Sequence, residues 1–390
     1  MTNEDVKKLS GEFIANTYSR FDVAIESGKG VFCKDFDGKE YIDFTSGIGV
    51  NSLGFCDNKW IDAIARQART LNHTSNLYYT LPGARLAEKL CLRTGMKKVF
   101  FSNSGAEANE CAIKAARKYS FDKYGADRYE IITLQNSFHG RTIATLSATG
   151  QSVFHKFFDP FVEGFVYAKA NDTEDLLSKI TDKTCAIMLE VIQGEGGVLE
   201  LMPGFLDEIA EVAQKKDILI IADEVQTGIG RCGTLFGYQG FQFVPNILSC
   251  AKGLAGGLPL GATLFDEKTA DVLSPGSHAT TFGANPIVCS AAEAVLDRLN
   301  QELLLDIMQK GIYMRVEIAK MPHVISVNGQ GLMIGVEMDI DNKVVAQKCI
   351  QAGLLVLTAK DKLRLLPPLT ITIEEARAGL DILNKVLSDM

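Results

Sequence analysis

The stretch Ile218-Leu-Ile-Ile-Ala-Asp-Glu-Val-Gln226 decides how the chain is read. Its first five residues, Ile218–Ala222, are all apolar and do not alternate, which predicts a strand buried on both faces. Two carboxylates close it. In open α/β sheets ligands bind beyond the carboxyl ends of the strands, so Asp223 and Glu224 stand where chemistry is expected. The plainer reading is that acidic residues end strands and face water. On this stretch alone the two readings balance.

The same arrangement repeats outward. Strands are predicted at Val99–Ser102, Glu130–Leu134, Ala186–Val191, Ile247–Cys250 and Ala262–Phe265. Amphipathic helices are predicted at Glu107–Tyr119, Phe205–Lys216 and Pro286–Leu299. This alternation places the chain in the α/β class, with a mostly parallel central sheet. Toward the C-terminus we expect a strand at Gly329–Met338, a helix near Val344–Ala352 and two short strands flanking Lys360. Thr372 with Glu375 three residues on is a capping box, opening a last helix to about Leu387. We expect residues 51–290 to form a large domain. Residues 1–50 and 291–390 would form a smaller α/β domain built from the two termini.

Several strand ends carry reactive residue types. Ser249-Cys-Ala-Lys-Gly-Leu-Ala-Gly-Gly257 sets Lys252 after an apolar strand and before a glycine-rich turn. A lysine in a partly desolvated pocket sheds its proton readily enough to form an imine with a carbonyl. Ser102-Asn-Ser-Gly-Ala-Glu-Ala-Asn109 runs from strand through small residues into a helix, whose free amides and dipole suit a phosphate. Ser137-Phe-His-Gly-Arg-Thr142 offers an aromatic face and a cation. Glu190-Val-Ile-Gln-Gly-Glu-Gly-Gly197 adds acids and glycines, and Thr280-Thr-Phe-Gly-Ala-Asn-Pro286 a hydroxyl-rich turn. In Leu363-Arg-Leu-Leu-Pro-Pro368, Arg364 interrupts an apolar run, and a buried arginine needs an anionic partner. Taken singly, each segment reads as ordinary loop or core; the combination carries the weight.

Bulk properties exclude other classes. The chain has 390 residues, 46% of them apolar, and a net charge of −8. That balance argues against a nucleic-acid surface. The nine cysteines form no CxxC pair and the five histidines no HExxH, so we expect reduced thiols in a cytoplasmic protein, with no metal site. No apolar run approaches the roughly 18 residues of a membrane span, and no apolar segment follows the charged N-terminus. Gly228-Ile-Gly-Arg-Cys-Gly233 satisfies GxGxxG, but no helix-forming segment follows it, which disfavours a dinucleotide fingerprint.

Together, from Phe44-Thr-Ser-Gly-Ile-Gly-Val-Asn-Ser-Leu-Gly54 to the Arg364 segment, these motifs resemble the class-III aminotransferases of the type I pyridoxal-phosphate (PLP) fold. The resemblance runs furthest with the branch acting on N2-acetyl-L-ornithine. It implies that Lys252 carries PLP as a Schiff base and moves the substrate proton. Asp223 would pair with the ring nitrogen, keeping the ring an electron sink. Gln226 would bond the ring hydroxyl and Phe138 stack on the ring. Ser104, Gly105 and Ala106 would cradle the phosphate. Thr281 would reach the phosphate of a neighbouring subunit, which implies a homodimer with shared sites. Arg141 would bind the donor's α-carboxylate and Arg364 that of 2-oxoglutarate or glutamate. Glu195 would gate Arg364, and Tyr79 would line the donor side.

Two departures, Val191 for a usual proline and Asn246 for a usual aspartate, fall where no cofactor contact is expected. Ile48 stands where ornithine aminotransferases usually carry tyrosine; an aliphatic side chain there suits an acylated α-amine and also occurs in 4-aminobutyrate aminotransferases. The expected reaction transfers the terminal amine of N2-acetyl-L-ornithine to 2-oxoglutarate, in arginine biosynthesis, with succinyl-diaminopimelate as a further donor. Rival readings keep the chemistry but change the donor to ornithine, succinylornithine or 4-aminobutyrate. More distant ones are a dinucleotide-dependent dehydrogenase using the Gly228–Gly233 turn and a PLP-binding regulatory module without turnover.

Overall fold

The structure, a computed structural model, describes residues 1–390. Its centre is a seven-stranded sheet. In chain order the strands are β1 (Lys98–Ser102), β2 (Glu130–Leu134), β3 (Phe165–Ala168), β4 (Thr184–Leu189), β5 (Leu219–Asp223), β6 (Ile247–Cys250) and β7 (Gly261–Phe265). Their spatial order is β1-β7-β6-β5-β4-β2-β3. All are mutually parallel except β7, which runs antiparallel to both β6 and β1. Strands β4 to β7 are buried along their whole length, which is why they read as unbroken apolar runs.

Helix α1 (Gly105–Tyr124) crosses one face of this sheet. Ser104 caps it, its hydroxyl accepting from the Glu107 amide at 3.2 Å. The buried stripe is Ala108, Cys111, Ala112, Ala115 and Ala116, small residues that let the helix press on the strands. Helices Pro203–Lys216 and Pro286–Arg298 both begin with proline in the first turn, where its missing N–H costs nothing.

The two termini share a second sheet. Glu40–Asp43 pairs in parallel with Leu354–Leu355, in the register Ile42 to Leu354 and Asp43 to Leu355. A third, antiparallel sheet is ordered Val324–Asn328, Ile334–Met338, Lys362–Leu365, Leu357–Ala359. The last helix, Ile373–Ser388, opens with the capping box of Thr372 and Glu375. One continuous apolar core runs from the central sheet into these smaller ones.

Some expectations shift. The strand expected at Gly329–Met338 starts only at Ile334, behind a turn that joins it to a further strand at Val324–Asn328. Gly329 and Gly331 there have φ of +110° and +53°, which break the extended run. The β4 ladder stops at Leu189, two residues early, because Glu190 turns into the site and Ile192–Gln193 starts a small hairpin. Helix α1 begins at Gly105 rather than Glu107 and runs five residues beyond Tyr119.

Gly261 opens β7 against the cap of α1. A Cβ there would lie 2.3 Å from the Ser104 carbonyl oxygen and 2.5 Å from Ser102 Oγ. Gly261→Ala is expected to cost about 1–3 kcal/mol, the usual range for overpacking, seen as a lower midpoint in thermal unfolding. An unchanged midpoint would mean that this turn can yield without loss.

Candidate active site

The six parallel strands point their carboxyl ends the same way, and the loops leaving five of them meet. They line one cavity of about 270 Å³ with Gly105 and Ala106 after β1, Phe138 to Arg141 after β2, and Glu190 after β4. Val225 and Gln226 follow β5, and Lys252 follows β6. The antiparallel β7 feeds no residue into it.

Asp223 lies in its wall, 3% exposed. A charge this deep needs donors around it. Its Oδ2 accepts from Asn109 Nδ2 at 2.8 Å and pairs with His139 Nδ1 at 2.7 Å, and its Oδ1 accepts from the Val225 amide at 3.1 Å. Ser249 Oγ donates to Asn109 Oδ1 at 2.5 Å and so orients that amide. His139 Nε2 is buried without a partner. Glu190 is also buried, and its Oε1 accepts from the Phe138 amide at 2.9 Å. Burial and the neighbouring Asp223 charge hold its carboxyl well above the usual range, so it favours the protonated form.

Lys252 shares the cavity. Its φ of +34° is left-handed, a conformation that costs a non-glycine residue energy and that the surrounding turn must enforce. Burial lowers the pKa of its amine, opposed by Glu195 and Asp223 and helped by the Arg364 charge.

Arg364 is the deepest cation beside this group. Its Nη1 meets Glu195 Oε1 at 2.7 Å. Gln226 bridges the pair: its Nε2 donates to Glu195 at 3.2 Å, and its Oε1 accepts from Arg364 Nη1 at 3.3 Å. The Arg364 side chain is 3% exposed and that of Glu195 27%, so the glutamate is the partner with room to leave. Arg364 Nε is buried and unpartnered. Gly194 lets this close approach happen, since a Cβ there would fall 2.0 Å from Gln226 Oε1. Arg141 is different. It is exposed, pairs with no carboxylate, and lies 4.0 Å over the Phe154 ring and 5.6 Å from that of Phe138.

The structure thus gathers Lys252, Asp223, Gly105, Ala106, Phe138, Gln226 and Arg141 around one cavity. Glu195 and Arg364 adjoin it through Gln226, and Ser104 adjoins it as the cap of α1. Thr281 and Tyr79 are not brought there. Thr281 is exposed, and Tyr79 lines a separate surface groove. Glu224 also leaves the site. It turns into the protein and accepts from Thr227 Oγ1, the Gly237 amide and the Tyr238 amide at 2.6, 2.7 and 2.6 Å. Val191 and Asn246 do not line the cavity. Sequence reasoning gave no role to Asn109, His139, Glu190 or Phe154. Asn109 had a visible signal, a lone amide on the alanine stripe of α1.

The residues fit PLP. A bare helix start faces the cavity at Gly105, where a Cβ would strike Val225 Cγ1 at 2.7 Å. Helix-start amides have no partner within the helix and suit a phosphate. A buried carboxylate contacted by no lysine or arginine suits a protonated ring nitrogen, an aromatic face suits a flat ring, and an amine suits an aldehyde.

Burial pushes the Glu224 carboxyl up to about 7, against its three hydrogen bonds. A raised folded value means that its stabilising share is complete below its ordinary value of 4.5 and is lost as pH climbs through 7. The stability advantage of the wild type over Glu224→Gln should therefore shrink between pH 5 and pH 8, by about 3 kcal/mol at most. Denaturant melts across that range check it; a constant difference would mean that the carboxyl ionises normally.

Comparison with known proteins agrees with this geometry. The family model of class-III aminotransferases matches residues 13–387. The chain is 53% identical to the acetylornithine aminotransferase of Haemophilus ducreyi, over 100% of both chains. An ornithine aminotransferase structure from Toxoplasma gondii, with PLP at partial occupancy in its active site, superposes with a TM-score of 0.95 at 32% identity. That match covers 100% of this chain and 94% of the other. The N-acetylornithine aminotransferase of Stenotrophomonas maltophilia superposes with a TM-score of 0.85 at 34% identity over 98% of each chain.

Proposed function

The chain belongs to the class-III aminotransferases, which depend on PLP, and from that premise we propose that it acts on N2-acetyl-L-ornithine. The terminal amine would pass to 2-oxoglutarate, giving N-acetyl-L-glutamate 5-semialdehyde and L-glutamate, a step of arginine biosynthesis. The observation that carries the two-substrate scheme is the buried Arg364 held by a more exposed Glu195. Such a pair presents a cation when the glutamate swings out and a neutral wall when it stays. One pocket can then take a dicarboxylate and a monocarboxylate in turn. The acetylated donor is supported by the 53% identical relative and by Ile48, which is 44% exposed and offers no polar group to a free α-amine.

Bound PLP would supply an electron sink that eases loss of a proton from the carbon bearing the reacting nitrogen. The rest falls to the chain. Lys252 would hold the cofactor through Nζ, and its freed amine would carry the proton from the donor's terminal carbon to the cofactor. Its lowered pKa leaves Nζ able to act as that base. Asp223 would keep the ring nitrogen protonated, and Asn109 and His139 hold Asp223 in place. Gln226 would bond the ring oxygen, Phe138 would cover the ring, and Ser104, Gly105 and Ala106 would bind the phosphate. Arg141 takes the donor's carboxylate; its lack of a protein carboxylate leaves it free to do so.

We read residues 51–290 as the large body and 1–50 with 291–390 as the small one, a division supported by the pairing of Glu40–Asp43 with Leu354–Leu355. We also infer a homodimer, in which Thr281 reaches a partner's phosphate and Tyr79 a partner's donor site; both residues are exposed in the single chain. The nine unpaired thiols fit a cytoplasmic enzyme. No helix is long and apolar enough to cross a membrane.

The deciding experiment is a single turnover. N2-acetyl-L-ornithine, mixed with the PLP-loaded protein without acceptor, should bleach the visible cofactor band faster than L-ornithine or 4-aminobutyrate. Bleaching by a free ω-amine alone would overturn the donor, and no bleaching even by L-glutamate would overturn the reaction. Lys252→Ala should lower turnover by about 10³-fold or more; full activity would reject its role. Arg364→Ala should lower kcat/KM for 2-oxoglutarate about 10–100-fold while sparing the donor half-reaction, and Arg141→Ala should do the reverse. Equal losses in both halves would reject the divided roles.

A further inference from the structure

The Gly228–Gly233 turn, which fits no dinucleotide site, has another use. It leaves the site directly, since Asp223 and Gln226 precede it and Glu224 anchors its base to Gly237 and Tyr238. At its tip stands Arg231, buried at 3% exposure. Its Nη1 donates to the Leu332 carbonyl at 2.9 Å and to the Pro367 carbonyl at 2.6 Å. The Arg231 carbonyl accepts from the Leu332 amide at 3.0 Å. Gly331 packs so tightly below that a Cβ would come 2.5 Å from the Arg231 oxygen. Asp43, an acid whose charge reaches Arg231, is buried and spends its oxygens on Thr45 and Ser46.

Pro367 lies three residues after Arg364. Its segment is pinned at two further points, the Leu366 amide to the Phe44 carbonyl at 2.7 Å and the Leu369 amide to the Ser52 carbonyl at 2.8 Å. Ser52 Oγ in turn donates to the Gly253 carbonyl at 2.8 Å, next to Lys252. Of these ties, only Arg231 uses a charged side chain from the loop that also carries Asp223 and Gln226. Charged hydrogen bonds to buried carbonyls are stronger and more directional than neutral ones.

We propose that Arg231 is a positioning residue for Arg364: it clamps the Pro367 carbonyl and so fixes where the acceptor-binding guanidinium stands relative to Gln226 and Asp223. This rests on the reading of Arg364 as the 2-oxoglutarate-binding residue. A merely structural cation would weaken both substrate halves together. A positioning cation weakens only the half that uses Arg364.

The test uses the PLP-loaded enzyme and two unreactive probes. Glutarate mimics the acceptor, and N2-acetyl-L-norvaline mimics the donor without its terminal amine. In Arg231→Lys, glutarate affinity by calorimetry and KM for 2-oxoglutarate should worsen about tenfold or more. N2-acetyl-L-norvaline affinity and the donor half-reaction should stay within about twofold of wild type. Equal losses for both probes, or none, overturn the proposal. Should Arg231→Lys fail to give soluble protein, Arg231→Gln carries the same test, because it keeps a side-chain N–H but removes the charge and the reach of the guanidinium. The same one-sided loss is expected there, and a balanced loss or none overturns the proposal. An Arg364→Ala variant that binds glutarate as well as the wild type would instead sink the underlying reading of Arg364.

Discussion

A carboxylate buried at the end of the central strand β5 is the constraint on which the site depends. Asp223 cannot be hydrated where it lies, so its charge must be met by fixed donors or by a cation. The fold meets it with an amide from α1, an imidazole from the loop after β2 and a backbone amide from its own turn. These come from three elements, and each must arrive in register. Asn109 needs α1 to start at Gly105, His139 needs the loop after β2 to fold back, and Ser249 on β6 must hold the Asn109 amide the right way round. No lysine or arginine completes the set. The buried negative potential therefore remains for a ligand to use.

Around it the charges are graded by depth. Glu190 shares the interior with Asp223 and is driven toward neutrality, because two adjacent buried carboxylates cannot both ionise cheaply. Lys252 is eased toward the free amine by burial. Arg364 has Glu195 as counter-ion, with the more exposed glutamate free to be exchanged for a substrate carboxylate. Arg141 sits at the rim between aromatic rings, solvated and unpaired. Each residue's chemistry follows from how much water it can see and which charge lies beside it.

Much of this was legible in the sequence. Buried parallel strands read as apolar runs, and their carboxyl ends carried Lys252, Asp223, Glu190 and the Ser104–Ala106 turn. What escaped detection did so for physical reasons. Strand β3, Phe165–Ala168, is apolar but only four residues long, too short a run to stand out between Gly164 and Lys169. The N-terminal helix Asn3–Phe13 buries none of its residues and carries no core stripe. Asn109 and His139 act on Asp223 rather than on open space, and such partners are defined by contacts between distant segments. Arg231 lay inside a motif that matched a different function, and only its carbonyl partners, more than a hundred residues away in sequence, reveal what it holds.

The pairing of Glu40–Asp43 with Leu354–Leu355 bears on how the chain is made. Contacts between such distant segments form late, because a long loop must close before they add any stability. On the ribosome the Lys252 and Asp223 strands emerge well before Arg364 and its sheet. A partly synthesised chain can assemble the central sheet while its first strands still lack their C-terminal partner. Until Leu354–Leu355 arrives, the edge of Glu40–Asp43 is open to other strands, a hazard at the start of the chain that only its end removes.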